Sequence, residues 1–301
     1  MIKPDHARGL AVICAALLAS GCGGSSDDGT GQLSVGLTDA PVDEADAVVV
    51  AFTGIEVKPA EGSAFMLETF DPPLTIDLLD LQDGLNQTIA DATVDAGRYN
   101  WIRLAVKLDE DGVVDEATES HIVVNGTAYP LWIPSGAQTG LKLVSGFVVP
   151  QGGQTALTVD FDLRKSVVLP RNGEMVYFLR PALRLVDNAL VGSIAGTVDP
   201  NLLVDGSNCV VYVFGGDAVA PDDVDGAEPE PVTTAGVKLD LVEPGQWGYR
   251  AAFLPEGPYT LALTCDEDLP DQDDELAFTG PESASVAAGQ ETELNFAAPA
   301  T

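Results

Sequence analysis

Residues 157 to 164 read Leu-Thr-Val-Asp-Phe-Asp-Leu-Arg, a strict alternation of apolar and polar side chains. Side chains of a β-strand point to opposite faces with a period of two, so this segment predicts a strand with its apolar residues facing inward. Residues 100 to 108 show a similar pattern, with apolar side chains at the even positions from 102 to 108. Strands that are apolar on one face need a second sheet to cover that face, which predicts a β-sandwich.

The same period recurs along most of the chain, and one stretch favours a helix. Residues 79–92 carry Leu81, Leu85 and Ile89 at four-residue spacing, which is typical of one helical face. The chain is therefore predicted to be all-β, with two β-sandwich domains in tandem over residues 32–188 and 190–301. Further predicted strands are 33–37, 47–57, 121–124, 147–149, 176–186, 192–198, 209–214, 237–242, 247–253, 259–265, 283–286 and 292–296.

The N-terminus has the features of a bacterial export signal. Lys3 and Arg8 form a basic start, and the apolar run that follows is too short to span a membrane. The segment Leu17-Leu18-Ala19-Ser20-Gly21-Cys22 resembles a bacterial lipobox, in which diacylglycerol is attached to the cysteine and the chain is cut before it. This resemblance implies a signal peptide over residues 1–21, a lipid on Cys22 and a flexible tether over residues 22–31.

The alternative is an ordinary secretory signal that ends in an Ala-Ser-Gly cleavage site and leaves no lipid. Gly23 follows the cysteine, and the absence of aspartate there resembles outer-membrane sorting in Gram-negative bacteria. We therefore expect an exported protein, lipid-anchored to the bacterial envelope at the outer membrane.

The chain is strongly acidic, with 47 Asp and Glu against 14 Lys and Arg and a formal net charge of −33. Such a surface repels phosphate backbones and anionic headgroups, which argues against nucleic acid as a partner. It fits cations, cationic groups or neutral sugars, and we expect an envelope protein or a polysaccharide. The alternative is that the acidity only keeps an exported protein soluble.

Several short motifs of the first predicted domain occur together and in order. They are Leu37-Thr38-Asp39-Ala40-Pro41, Ala96-Gly97-Arg98-Tyr99 with Ile102-Arg103-Leu104, Ile133-Pro134-Ser135-Gly136, Thr139-Gly140-Leu141-Lys142, Asp160-Phe161-Asp162 and Leu179-Arg180-Pro181. The set resembles the lipoprotein family called domain of unknown function 4382, over about residues 31 to 187. The resemblance implies an extracytoplasmic, β-rich module and carries over no catalytic residue.

The second predicted domain has its own motifs, Gly196-Thr197-Val198, Val211-Tyr212-Val213-Phe214 and a Pro-Gly turn over residues 254–261. Their order resembles the transthyretin-like modules called carboxypeptidase regulatory-like domains, over residues 190 to 300. The usual Thr-Asp-x-x-Gly turn is replaced here by residues 243–248. The resemblance implies a small, non-catalytic sandwich.

The candidate binding residues of the first domain are Asp39, Asp160, Asp162 and Lys142. Asp39 stands in an Asp-Ala-Pro turn, where its carboxylate is expected to accept a backbone N–H. Asp160 and Asp162 share a strand face, so they can act as a general acid and base or bind a metal. The favoured interpretation is an exposed ion-pair ladder, continued by Arg164 and approached by Lys142.

The sequence offers little for catalysis. His121 is the only histidine left after signal cleavage, in a predicted strand where a core or edge position explains it. The chain has no nucleophile elbow, no zinc-spaced histidine pair and no Gly-rich phosphate loop. We therefore predict a non-catalytic binding or structural module. The alternative is a hydrolase acting on polysaccharide, which needs only two well-placed carboxylates.

Cys209 and Cys265 are the only cysteines of the mature chain besides Cys22, since Cys14 lies in the signal peptide. Both share strand faces with apolar residues and are expected to point inward. In an oxidising compartment such a pair is predicted to form a disulfide. The alternative is two buried free thiols.

An acidic loop follows Cys265, and a second one, residues 222–226, can lie near it. Repulsion among so many carboxylates would be relieved by a hard divalent cation, so a calcium site is predicted. Neither loop fits an EF-hand, and the alternative is a solvated loop without an ion, since salt screens surface charge. The candidate ligands are Asp266, Asp268, Asp271, Asp273 and Asp274, with Glu267 and Glu275 beside them.

Overall fold

A computed structural model describes residues 29–40, 45–108, 113–134, 139–168, 177–204, 208–269 and 272–298. The described chain consists largely of β-strands, which confirms the all-β prediction. The predicted signal peptide, Cys22 and most of the predicted tether lie outside these residues, and the first strand begins at Thr30. Within the described ranges, no helix is both long and apolar enough to cross a membrane.

The first sandwich contains the strands up to residue 187. A 3-10 turn spans Leu78–Leu81, and the helix α1 spans Leu163–Ser166. The strands are β1 (Thr30–Ala40), β2 (Ala47–Pro59), β3 (Phe65–Asp77), β4 (Gln87–Asp95), β5 (Gly97–Lys107), β6 (His121–Val124), β7 (Thr127–Trp132), β8 (Leu141–Leu143), β9 (Phe147–Val149), β10 (Gln154–Asp162), β11 (Val167–Val168), β12 (Tyr177–Leu179) and β13 (Leu183–Asp187).

Two sheets face each other in this sandwich. The smaller has the order β13-β10-β1-β4, in which β1 runs parallel to β10 and antiparallel to β4. The larger has the order β11-β12-β7-β6-β2-β5-β8, with β3 also paired to β2 and β9 also paired to β5. Apolar side chains from both sheets fill the space between them, and Phe52 of β2 meets Phe161 of β10 edge to face.

The second sandwich contains two four-stranded sheets. One has the order β17-β18-β14-β21 and the other the order β16-β15-β19-β20. Tyr249, Ile194, Leu261 and Val213 lie in the fully buried core between them. The strands are β14 (Val191–Val198), β15 (Val210–Gly215), β16 (Thr233–Gly236), β17 (Lys238–Leu239), β18 (Trp247–Pro255), β19 (Gly257–Thr264), β20 (Thr279–Val286) and β21 (Glu291–Glu293).

The predicted disulfide is confirmed. It joins Cys209, just before β15, to Cys265, just after β19, and these two strands are antiparallel neighbours. Cys209 is 5% exposed and belongs to the core of the second sandwich, as its inward strand position predicts.

The predicted helix over residues 79–92 is wrong. The 3-10 turn stops at Leu81, the backbone of Asp83 and Gly84 has positive φ, and β4 follows. The register between β1 and β4 shifts at Val35, so the consecutive residues Ile89 and Ala90 are both buried. This bulge removes the alternation that marks a strand, and pairing with β1 decides the conformation.

The strand β3 has no counterpart among the predicted strands. It pairs with β2 alone and lies at an edge of the larger sheet, where most of its side chains are exposed or half-buried. An edge strand with little buried surface does not need a regular apolar face, so its sequence lacks a clear period of two.

Candidate functional site

The outward face of β10 is covered by the second sandwich. Asp160 is 5% exposed and Asp162 is 8% exposed, although the alternation of β10 predicts that they face solvent. Asp160 lines a crevice together with Thr233 and Thr234 of β16 and Arg250 of β18. The prediction that this ion-pair ladder is exposed is therefore wrong, because the second sandwich packs against that face.

Asp160 forms its ion pair with a residue that sequence reasoning did not select. It lies opposite Arg184 of β13 in the antiparallel register, and Arg184 donates from Nε to Asp160 Oδ2 at 2.9 Å. Burial raises the pKa of Asp160 to about 6, while the guanidinium of Arg184 acts in the opposite direction. The pair is a cross-strand contact of the kind that stabilises sheets.

Asp162 caps α1, where its Oδ1 accepts the backbone N–H of Lys165 at 3.2 Å. Lys165 Nζ lies 3.7 Å from Asp162 Oδ2. Burial raises the pKa of Asp162, and the positive charge of Lys165 opposes this shift. The carboxylate therefore serves the start of a helix and an ion pair.

Asp39 is placed beside these acids by the parallel pairing of β1 with β10, which sets it opposite Phe161. It is 6% exposed, and its Oδ1 accepts the backbone N–H of Leu163 at 3.3 Å. The prediction that Asp39 accepts a nearby backbone N–H within a turn is wrong in its donor, because this N–H belongs to a distant segment of the chain.

Lys142 does not approach these acids. It lies on β8 of the other sheet, where it is exposed and its Nζ lies 4.3 Å from the ring centre of Trp101. Arg103 is on the same ring, with its Cζ 4.9 Å from the ring centre. The predicted contact of Lys142 with the ladder is wrong, because β8 pairs with β5 and not with β10.

The crevice beside Asp39 and Asp160 is too small for a substrate. Its volume is about 10 Å³, roughly the space for one water molecule.

His121 also has a structural position: it is 4% exposed in β6, and its Nδ1 lies 2.9 Å from the carbonyl oxygen of Glu119.

The second sandwich brings together acidic residues from the two predicted loops. Asp223, Asp268 and Asp274 each offer a carboxylate oxygen, and these oxygens lie within 4.8 Å of one another. Asp223, Asp225 and Asp273 form an overlapping group with the same spacing. We call these five residues the acidic cluster.

The two buried members of the acidic cluster each use one oxygen for a protein contact. Asp268 Oδ2 accepts the hydroxyl of Tyr212 and the backbone N–H of Val224. Asp223 Oδ2 accepts the backbone N–H of Asp274. The other oxygen of each, Asp223 Oδ1 and Asp268 Oδ1, is buried without a hydrogen-bond partner among the described residues. Burial raises the pKa of Asp268, while Tyr212 and Arg164 oppose that shift.

A small apolar layer supports the acidic cluster. It lies outside the main core, on the far face of the sheet that contains β15, and consists of Val210, Tyr212, Phe214 and Val224 with Leu276 and Phe278 packed against it. The ring of Tyr212 meets that of Phe278 edge to face. Both acidic loops are therefore attached to one sheet face, and the disulfide at Cys265 fixes the point where the second loop begins.

Two basic residues of α1 extend from the first sandwich to this region. Arg164 is 2% exposed, and its Cζ lies 5.7 Å from the ring centre of Tyr212. Lys165 Nζ lies 3.2 Å from Glu230 Oε2, and Glu230 accepts the backbone N–H of Asp225. The first sandwich thus contacts both the support and one loop of the acidic cluster.

The predicted calcium ligands divide into three sets. Asp268, Asp273 and Asp274 lie in the acidic cluster, whereas Asp266 is exposed and accepts the backbone N–H of Ala277 at 2.7 Å. Asp271 lies outside the described residues. Asp223 is shared by both groups of the cluster, and the signal for it in the sequence is its place in the second acidic loop.

Comparisons with solved structures return distant matches. A leucine-rich repeat protein from Bacteroides thetaiotaomicron is 12% identical with a TM-score of 0.23, and the match covers 88% of this chain but only 26% of that protein. GBS52, the minor pilin of Streptococcus agalactiae, is 10% identical with a TM-score of 0.19, covering 88% and 94% of the two chains. A putative adhesin from Bacteroides ovatus is 11% identical with a TM-score of 0.21, covering 97% and 100%.

Similarity at this level carries no conclusion about function. A search of curated proteins finds no match. The profile of one family, Domain of unknown function (DUF4382), matches residues 30–181, which is half of the chain and nearly the whole of the first sandwich. The chain belongs to the DUF4382 family.

Proposed function

We propose that the protein is a non-catalytic module of the bacterial envelope, held to the outer membrane by a lipid on Cys22. The partners of the three first-sandwich acids carry the non-catalytic part of this proposal. Asp39 accepts the amide of Leu163, while Asp160 and Asp162 form ion pairs beneath the second sandwich. All three acids join elements of the fold, and the crevice beside them has room for about one water.

The envelope address is supported by two features of different kinds. The disulfide between Cys209 and Cys265 is typical of an oxidising compartment. The lipobox-like segment that ends at Cys22 supports a lipid anchor, and several acyl chains at ~0.8 kcal/mol per buried methylene would hold the protein permanently. The acidic surface fits an envelope protein or a neutral polysaccharide as the partner.

A hydrolase acting on polysaccharide is the second candidate, and one observation favours it. Burial raises the pKa of Asp160 to about 6, a value found in general acids of glycosidases. The opposing observation is geometric, since a sugar ring has no access to Asp160 in a crevice of about 10 Å³. The proposal of a non-catalytic module therefore has the stronger support.

The anchor is tested by detergent phase partition in a Gram-negative host. The wild-type protein should enter the detergent phase and sediment with outer membranes, whereas Cys22→Ser should give a soluble or an uncleaved protein. Cys14→Ser is the matched control and should behave as wild type, because residue 14 leaves with the signal peptide. A Cys22→Ser protein that is cleaved and still enters the detergent phase would exclude the anchor.

The absence of catalysis is tested with envelope polysaccharide and peptidoglycan as substrates. Purified protein should release no reducing ends over many hours. Release that is lost in Asp160→Asn would establish the hydrolase and overturn the non-catalytic proposal. Cross-linking of the anchored protein in intact envelopes, followed by mass spectrometry, then tells whether the recurring partner is a protein or a glycan.

A further inference from the structure

The acidic cluster contains buried negative charge that the described protein groups do not balance. Asp223 is 1% exposed and Asp268 is 5% exposed, and one oxygen of each lacks a hydrogen-bond partner within the described ranges. A carboxylate removed from water without a partner is strongly unfavourable, so buried charges in proteins are paired or bind a metal. These two residues offer carboxylate oxygens within 4.8 Å of each other, which indicates a missing positive charge.

The two basic residues of α1 lie beside the acidic cluster and make their own contacts. The Cζ of Arg164 lies 5.7 Å from the ring centre of Tyr212, the residue that donates to Asp268 Oδ2, while Asp223 Oδ1 and Asp268 Oδ1 have no hydrogen-bond donor among the described residues. Lys165, the other basic residue of α1, is engaged with Asp162 and Glu230. The cluster therefore still favours an added cation.

We propose that Asp223, Asp268 and Asp274 bind a divalent cation, and that calcium is the ion that fits. This inference goes beyond the proposed function and does not depend on the lipid anchor. All three ligand atoms are carboxylate oxygens, and the cluster contains no nitrogen or sulfur ligand of the kind that zinc and copper prefer. Asp225 and Asp273 form a second group of oxygens together with Asp223.

The spacing of the oxygens agrees with calcium. Calcium binds about six to eight oxygens at about 2.3–2.6 Å, so two ligand oxygens of one ion lie at most about 5 Å apart. The oxygens of each group lie within 4.8 Å of one another. They come from two irregular loops, which suits the flexible coordination of calcium better than the near-octahedral geometry that magnesium requires.

The ion would join the two loops at the point where the first sandwich touches the second. Asp223 belongs to one loop and Asp268 to the other, and Tyr212, the hydrogen-bond donor to Asp268, also contacts Arg164. Binding should therefore stabilise both the loops and the contact between the sandwiches.

The test compares two double variants of the full-length protein in detergent. Asp223→Asn with Asp268→Asn removes the buried ligands. Glu228→Gln with Glu267→Gln removes two exposed charges from the same two loops and is the matched control. Calcium at about one hundred times its Kd should raise the Tm of wild type and control by about 5 °C, reversibly with chelator, and should leave the ligand variant unchanged.

The outcomes separate a lost site from a damaged fold. In chelator the ligand variant should melt at or above the wild type, because it lacks the two buried charges that repel each other. Terbium in place of calcium should give luminescence sensitised by Tyr212, displaced by calcium and weakened in Tyr212→Phe. A wild type whose Tm ignores calcium and chelator, or an equal loss of response in both double variants, would overturn the proposal.

Discussion

Asp160 of β10 and Arg184 of β13 are directly opposed across the smaller sheet of the first sandwich, and their ion pair lies beneath the second sandwich. The alternation of β10 places Asp160 on the outward face of that strand, and the packing of the second sandwich then buries this face. Its carboxylate is buried by residues that are distant in the sequence, so its properties depend on how the two sandwiches meet.

The first prediction is a pH-dependent stability that Asp160→Asn removes. Burial raises the pKa of Asp160 to about 6 in the folded protein, above the usual value of 3.8. Between these values the folded state holds a proton that the unfolded chain has lost. The free energy of unfolding of the wild type should therefore fall relative to the variant by about 2 kcal/mol from pH 4 to pH 6.5.

Urea unfolding of both proteins across this pH range measures the difference. The exposed residue Asp80 provides the control, since Asp80→Asn removes a solvent-exposed carboxylate and leaves the buried Asp160 in place. A difference between wild type and Asp160→Asn that is constant with pH would contradict the prediction.

The second prediction concerns the disulfide. Cys209→Ala with Cys265→Ala should lower the free energy of unfolding by about 4 kcal/mol, because the bond closes a loop across 56 residues and restricts the unfolded chain. Calorimetry with and without reductant provides the measurement: reductant should destabilise the wild type and leave the variant unchanged. Two thiols at these positions that alkylate without prior reduction would show the bond to be absent.

The third prediction concerns the lysine that joins the sandwiches. Lys165→Met should destabilise the protein by about 1–3 kcal/mol, because the buried Asp162 and the half-buried Glu230 lose a charged partner. The matched control is Lys142→Met, which removes an exposed lysine from Trp101 and should cost less than about 1 kcal/mol. Equal effects of the two substitutions on Tm would show that Lys165 does not support the interface.

The fourth prediction uses a glycine in contact with the other sandwich. Gly84 has φ of +82°, and an added Cβ would lie 3.0 Å from Ala252 Cβ of β18. Gly62 has φ of +86° with open space around it. Both changes to alanine should cost about 1–2 kcal/mol for the left-handed backbone, and Gly84→Ala should cost more because the sandwiches must move apart. If urea unfolding gives equal losses of stability for the two variants, Ala252 moves aside to accommodate the new methyl group without strain.

Much of the strand content follows from local alternation. His121–Val124 and Phe147–Val149 are strands with the predicted bounds, and the inward positions of Cys209 and Cys265 lead to the disulfide. The side-chain period of two is a property of each strand alone, so it can be read without knowledge of the neighbours. The edge strand β3 and the bulged strand β4 lack that period and were accessible only through their pairing with β2 and β1.

The burial of the acidic residues could not be predicted from the sequence. The chemical character of Asp160, Asp223 and Asp268, and the strand or loop on which each lies, follow from the sequence alone. Their burial was decided by tertiary structure, because the second sandwich covers the polar face of β10 and one sheet face gathers two loops that lie more than 40 residues apart. The alternation within a strand shows which of its side chains share a face. Whether that face is exposed to solvent depends on which distant part of the chain packs against it.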